Sequence, residues 1–144
     1  MTARVAALYR HPVKGFTPES CQELRVRDDG RIEGDRVLAF RFADAAAKDD
    51  EWGTKHECVA LVNTPGLARL HVAFDAAKQR LRIEGEGWLL ADEYIDPAGK
   101  KRLAEAVQAY VLGLQENPLA GTPGAFADQA GRRRCDATLP GQRQ

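Results

Sequence analysis

The spacing of the apolar residues changes once along this chain, at the dipeptide Asp96-Pro97. Before it, short segments such as 36–43 (RVLAFRFA) alternate between apolar and polar residues, which is typical of half-buried strands. After it, apolar residues recur at the spacing of a helix. Because Asp at the N-cap and Pro at the first position favour a helix start, the sequence predicts one amphipathic helix over 98–113. Its predicted apolar face comprises Leu103, Val107, Tyr110, Val111 and Leu114.

Seven segments upstream have the composition or the alternation of strands. They are 3–10, 20–27, 36–43, 58–64, 67–74, 80–84 and 87–91. The segment 67–74 also suits a short helix, because Ala, Arg and Leu all tolerate one. Gly30 predicts a turn at 28–31, and Pro65-Gly66 predicts a second turn. The charged segment 44–53 predicts an exposed connection between strands.

Several short strands followed by one helix predict a mostly β fold, a small antiparallel β-barrel with a C-terminal amphipathic α-helix. Closure into a barrel would also remove exposed strand edges. We expect this domain to span residues 1–115 of the 144. The remaining segment, 116–144, has almost no apolar periodicity and is predicted to be a disordered tail.

The composition excludes several classes of function. Lys plus Arg and Asp plus Glu both number 21, so the net charge is zero and we expect neither a nucleic-acid nor a membrane partner. No apolar run is long enough to span a bilayer, and the N-terminus lacks the apolar core of a signal peptide. Three widely spaced cysteines indicate reduced thiols rather than a zinc site. We therefore expect a cytoplasmic protein without a metal site.

Three short basic motifs stand beside predicted strands. The first is 11–15 (HPVKG), in which proline stiffens the chain and Gly15 permits an unusual backbone angle beside Lys14. The second is 34–36 (GDR), which places Arg36 at the start of a strand, where its planar guanidinium can bind phosphate or carboxylate. The third is 53–56 (GTKH), which contains Thr54 and Lys55. Together they predict a local anion site in a neutral chain.

Each motif also has a purely structural interpretation. Lys14 alone is more often a solvated surface residue. Asp35 and Arg36 could form a surface ion pair, which contributes about 0–1 kcal/mol. Asp35 could orient Arg36 or cap a turn, and the sequence favours neither. The order of the three motifs is more specific than any one of them.

That order resembles the N-terminal β-barrel domain of MOSC (molybdenum cofactor sulfurase C-terminal) proteins over about residues 3–115. The departures are His11, where the family commonly has an aromatic residue before the proline, and Lys55, where it commonly has arginine. The residues that carry the resemblance are Leu8, Tyr9, Pro12, Val13, Lys14, Gly15, Gly34, Asp35, Arg36, Thr54 and Lys55.

The resemblance implies a ligand and a partner. In the family, the barrel precedes a MOSC domain whose cysteine handles sulfur or ligates molybdenum. The resemblance implies that Lys14 and Arg36 help hold the pterin phosphate and the molybdenum centre of the molybdenum cofactor (molybdopterin). Gly15, Thr54 and Lys55 are lesser candidates. No MOSC half follows in this sequence, so the resemblance suggests a separate MOSC-like domain as a partner.

We therefore expect a binding half-module for a molybdopterin-type or other phosphate-bearing anionic small molecule, not active alone. The family context would be sulfur transfer or molybdenum oxidoreduction. We assign no catalytic residue, because Cys135 lies in the predicted tail, where a thiolate is not preorganised. The alternatives are a non-enzymatic interaction domain and a truncated or frame-shifted remnant without activity.

Overall fold

A computed structural model describes residues 1–42, 57–114 and 135–138 of the chain. Among these residues strands outnumber helices and an α-helix follows the first six strands, so the predicted mostly β class with a C-terminal helix is confirmed. In chain order the elements are β1 (Leu8–Arg10), β2 (Glu19–Cys21), β3 (Ala39–Phe42), a 3-10 helix (Pro65–Arg69), β4 (His71–Asp75), β5 (Arg80–Gly85), β6 (Trp88–Tyr94), α1 (Pro97–Leu112) and β7 (Cys135–Thr138).

The strands pair in three antiparallel sheets. β1 pairs with β2, β3 pairs with β7, and β4, β5 and β6 form a three-stranded sheet in that order. Across residues 1–42, 57–114 and 135–138 these sheets do not join into a closed barrel. The strands predicted at 3–10 and 20–27 are reduced to three residues each, and such short ladders leave little backbone for closure.

The prediction of a strand over 58–64 is wrong. Only Cys58 pairs there, through a single bridge to Arg41, and the chain then turns. The Asn63 side chain accepts a hydrogen bond from the Ala60 N–H over 3.1 Å and donates one to the Cys58 carbonyl over 2.8 Å. Asparagine side chains compete with sheet ladders in this way, so the turn replaces the strand.

The two interpretations of 67–74 each hold for part of the segment. A 3-10 helix begins at Pro65 and ends at Arg69, and β4 follows at once. In β4, Val72 and Phe74 are buried while the residues between them are exposed, which is the expected period of two. The predicted strands at 80–84 and 87–91 correspond to β5 and β6.

Four residues of the predicted tail belong to the fold. β7 pairs antiparallel with β3, with the Cα atoms of Phe42 and Cys135 opposite each other. Its four residues, CDAT, alternate between apolar and polar, but so short a run does not distinguish a strand from irregular chain, so sequence periodicity does not reveal it. The rest of 116–144, and the predicted connection 44–53, lie outside the described residues.

The core lies between the strands and α1. Leu103, Val107 and Val111 on the helix are fully buried, which confirms the main part of its predicted apolar face. Leu38, Phe40 and Phe42 also lie in this core, as their shared face predicts. No helix in the described part of the chain is both long and apolar enough to span a bilayer.

The N-terminus of α1 is capped as the sequence predicts. The Asp96 carboxylate accepts a hydrogen bond from the Gly99 N–H over 2.6 Å. We expect Asp96→Ala to lower the free energy of unfolding by about 1 kcal/mol, because one N–H of the first turn loses its partner. Asp96→Asn keeps an acceptor and should cost less. Urea unfolding of the three proteins measures this, and equal losses for both variants would contradict the cap.

Candidate functional site

The first and second basic motifs lie side by side. The Arg36 N–H donates to the His11 carbonyl over 2.6 Å, and the Val37 N–H donates to the Pro12 carbonyl over 2.8 Å. The Lys14 N–H in turn donates to the Leu38 carbonyl over 2.9 Å. We refer to segments 11–15 and 34–38 as the loop pair. The two segments run parallel and are joined by a bridge between Val13 and Leu38, so Lys14 and Arg36 come from adjacent backbones.

Asp35 connects the two segments of the loop pair through its side chain. Its Oδ1 accepts a hydrogen bond from the His11 N–H over 2.7 Å. Its Oδ2 forms an ion pair with the Nη1 of Arg36. The Asp35 side chain is 19% exposed and the Arg36 side chain 49%, so the pair joins a shielded carboxylate to a solvent-facing guanidinium. Asp35 therefore contacts Arg36, as one interpretation of the sequence has it, while its other hydrogen bond goes to a distant segment and does not cap a turn.

The backbone of Arg36 adopts a conformation that L-residues rarely take. Its φ is 49°, and it follows Gly34, whose φ is 80°. Positive φ at a non-glycine residue costs free energy and persists only where the surroundings enforce it. The hydrogen bonds to His11 and the ion pair with Asp35 supply those surroundings. These contacts therefore hold the backbone of Arg36 in this conformation.

Gly15 allows a third segment to approach the loop pair. Its φ is 77°, and a Cβ at this position would lie 2.5 Å from the Cβ of Ala60. The Leu61 N–H donates to the Gly15 carbonyl over 2.9 Å. Segment 58–61 therefore lies directly against Gly15. Apart from the glycine itself, no sequence pattern predicts this contact, because the partners are more than 40 residues apart.

Cys58 in this third segment is a buried thiol close to two cations. Burial raises the pKa of the Cys58 thiol above its ordinary value, and the nearby charges of Lys14 and Arg41 oppose that shift without reversing it. The side chain is 1% exposed. At neutral pH it is therefore a protonated, shielded thiol and not a ready thiolate ligand.

The third basic motif cannot be compared with the other two, because Thr54, Lys55 and His56 lie outside the described residues. Among the described residues, no group of three or more His, Cys, Asp or Glu side chains is placed to hold a metal ion.

A groove of about 540 Å³ lies elsewhere, on the exposed face of β4, β5 and β6. It shares no residue with the loop pair. The Nε of Arg80 lies 2.6 Å from Asp92, and the Nη2 of Arg82 lies 3.0 Å from Glu84. Arg80 thus pairs with a carboxylate across the strands and Arg82 with one in its own strand, β5, as on an ordinary solvated sheet face.

Comparisons with known proteins add no relative to this picture: no family model, no curated protein and no solved structure matches the chain.

Proposed function

We propose that this protein is a binding module whose loop pair holds the phosphate of a molybdopterin-type or other phosphate-bearing ligand, in the manner of MOSC N-terminal barrels. The observation that supports this is the joining of segments 11–15 and 34–38, which brings Lys14 and Arg36 onto adjacent backbones. A closed barrel, a cytoplasmic location and a separate MOSC-like domain as partner belong to the same proposal.

The two cations have different roles in this proposal. The guanidinium of Arg36 is planar and suits two parallel hydrogen bonds to phosphate oxygens. The ammonium group of Lys14 acts as a point charge that can follow the ligand. The two residues are offset by three positions along the parallel segments, about 10 Å of extended chain. Long side chains bridge such an offset from opposite sides of one phosphate or diphosphate group.

The loop pair fits the phosphate end of a molybdenum cofactor, not the metal end. A cofactor of this kind would supply sulfur-transfer or redox chemistry at its molybdenum. The charge of Lys14 reaches the Cys58 thiol, but burial and a raised pKa oppose a role for this thiol as a thiolate ligand. The residues of this chain therefore bind and orient the ligand, and turnover is not proposed for the chain alone.

Replacing Arg36 with glycine separates binding from stability. We expect Arg36→Gly to weaken binding of inorganic pyrophosphate about tenfold to a hundredfold, the usual range for a lost charged hydrogen bond. We expect its free energy of unfolding to change by less than about 1 kcal/mol, because glycine adopts the φ of 49° without strain and this gain offsets the loss of the half-exposed ion pair with Asp35. Calorimetric titration and urea unfolding measure the two quantities.

A matched control is Gln79→Gly, because Gln79 has a φ of 53° and is exposed outside the loop pair. It should share the backbone effect and leave pyrophosphate binding unchanged. Equal pyrophosphate affinity for Arg36→Gly and the wild-type protein would contradict the proposal, as would a wild-type protein that binds no pyrophosphate.

A further inference from the structure

The Asp35 side chain contacts both segments of the loop pair. Its Oδ1 holds the His11 backbone, and its Oδ2 holds the Arg36 guanidinium. The Arg36 N–H also donates a hydrogen bond to the His11 carbonyl over 2.6 Å, so His11 is bonded to segment 34–38 through both its N–H and its carbonyl. The carboxylate thus fixes a backbone and a cation at once, and each contact uses a different oxygen.

A carboxylate in this position has two opposite effects on an anion. Its negative charge lies beside Arg36 and repels the ligand, which by itself weakens binding. Its contact also restricts the guanidinium before the ligand arrives, which lowers the entropy cost of binding. Because the Arg36 side chain is 49% exposed, solvent weakens the repulsion and the ion pair alike, and the effect of removing the Asp35 charge on ligand affinity shows which of the two is larger.

We propose that Asp35 is a positioning residue of the anion site and acts through Arg36. The inference rests on the proposed function of the loop pair. Asp35 does not touch the ligand. It holds the guanidinium over the loop pair, so that the phosphate meets a cation whose direction is already set.

The substitution Asp35→Asn tests this because it changes the two contacts unequally. An amide oxygen still accepts the hydrogen bond from the His11 N–H, so the loop pair stays joined. The amide group cannot form the ion pair with Arg36. If Asp35 positions Arg36, the Asp35→Asn protein binds pyrophosphate about twofold to tenfold more weakly than the wild-type protein, because binding must then order one long side chain. Simple electrostatics predicts the opposite, because the variant gains one unit of positive charge.

A double-mutant cycle shows whether Asp35 acts through Arg36. In the Arg36→Gly background there is no guanidinium to position, so Asp35→Asn should no longer weaken pyrophosphate binding. Losses that add in the double variant would contradict the proposal. Unchanged or tighter binding by the single variant Asp35→Asn would also overturn it.

A second readout does not depend on the ligand. The Nε–H resonance of Arg36 should show a restricted side chain in the wild-type protein and a mobile one in Asp35→Asn, by heteronuclear NOE. Equal mobility of the Arg36 side chain in both proteins would show that Asp35 does not position it, even if pyrophosphate binds. If the wild-type protein binds no pyrophosphate but the NOE differs, the proposed function fails and the positioning of Arg36 by Asp35 stands.

Discussion

The substitution Arg10→Ala is expected to lower the free energy of unfolding by about 3–5 kcal/mol, the range for breaking a shielded ion pair from one side. The guanidinium contacts both carboxylate oxygens of Glu19, at 3.0 and 3.3 Å. It also donates to the carbonyls of Glu33 and Phe74. Arg10 thereby connects β1 to β2, to β4 and to the residue before Gly34. Its loss leaves a carboxylate that is only 15% exposed without its cation.

Urea unfolding measures this effect, and Arg25→Ala provides the matched control. Arg25 also pairs with a glutamate, but over 3.6 Å and with a side chain that is 76% exposed. The control should lose less than about 1 kcal/mol. Comparable losses in the two variants would show that the contacts of Arg10 do not hold the sheets together.

Gly15→Ala is expected to lower the free energy of unfolding by about 2–5 kcal/mol. A left-handed backbone costs an L-residue about 1–2 kcal/mol, and overpacking adds about 1–3 kcal/mol. The new Cβ would lie 2.5 Å from the Cβ of Ala60 and 3.1 Å from its Cα, so the backbone of segment 58–61 has to move. Because this segment lies against the loop pair, pyrophosphate binding should weaken as well.

Gly30→Ala separates the two contributions. Gly30 has a φ of 79°, and a Cβ there would meet nothing within 4 Å. The Gly30→Ala protein should lose only the cost of a left-handed backbone at alanine, about 1–2 kcal/mol of unfolding free energy. It should keep the wild-type affinity for pyrophosphate. If Gly15→Ala is no more destabilised than Gly30→Ala, the close approach of Ala60 does not limit this position.

Short sequence patterns predict the helix, the strands and the turn whose formation depends mainly on neighbouring residues. The helix was placed to within a residue at each end, because Asp96 caps it and its apolar face repeats at the helical spacing. The strands predicted at 67–74 and 80–84 contain β4 and β5, in which buried residues alternate with more exposed ones. The turn at 28–31 followed from Gly30, whose φ is 79°.

Elements with distant causes were missed. Segment 58–64 has the composition of a strand, but the Asn63 side chain satisfies the backbone groups that a ladder would need. β7 owes its existence to β3, which lies more than 90 residues earlier. No pattern within a short window contains that information, so a strand in the predicted tail could not be anticipated.

The candidate site was predictable in its residue types and not in its geometry. The sequence singled out Lys14 and Arg36, and the structure lays their segments side by side. The sequence favours neither the orientation of Arg36 nor the capping of a turn as the role of Asp35. In the structure its carboxylate lies beside Arg36 and holds the distant backbone of His11, which no local pattern indicates.

The central claim is that the loop pair binds phosphate, and amide chemical shifts test it most directly. Titration of the full chain with inorganic pyrophosphate should shift the amides of Lys14, Gly15 and Arg36, with Thr54 and Lys55 as lesser candidates. The amides of Arg80 and Arg82 in the separate groove should stay in place. A protein whose loop-pair amides do not move, or whose shifts are confined to the groove, would contradict the account.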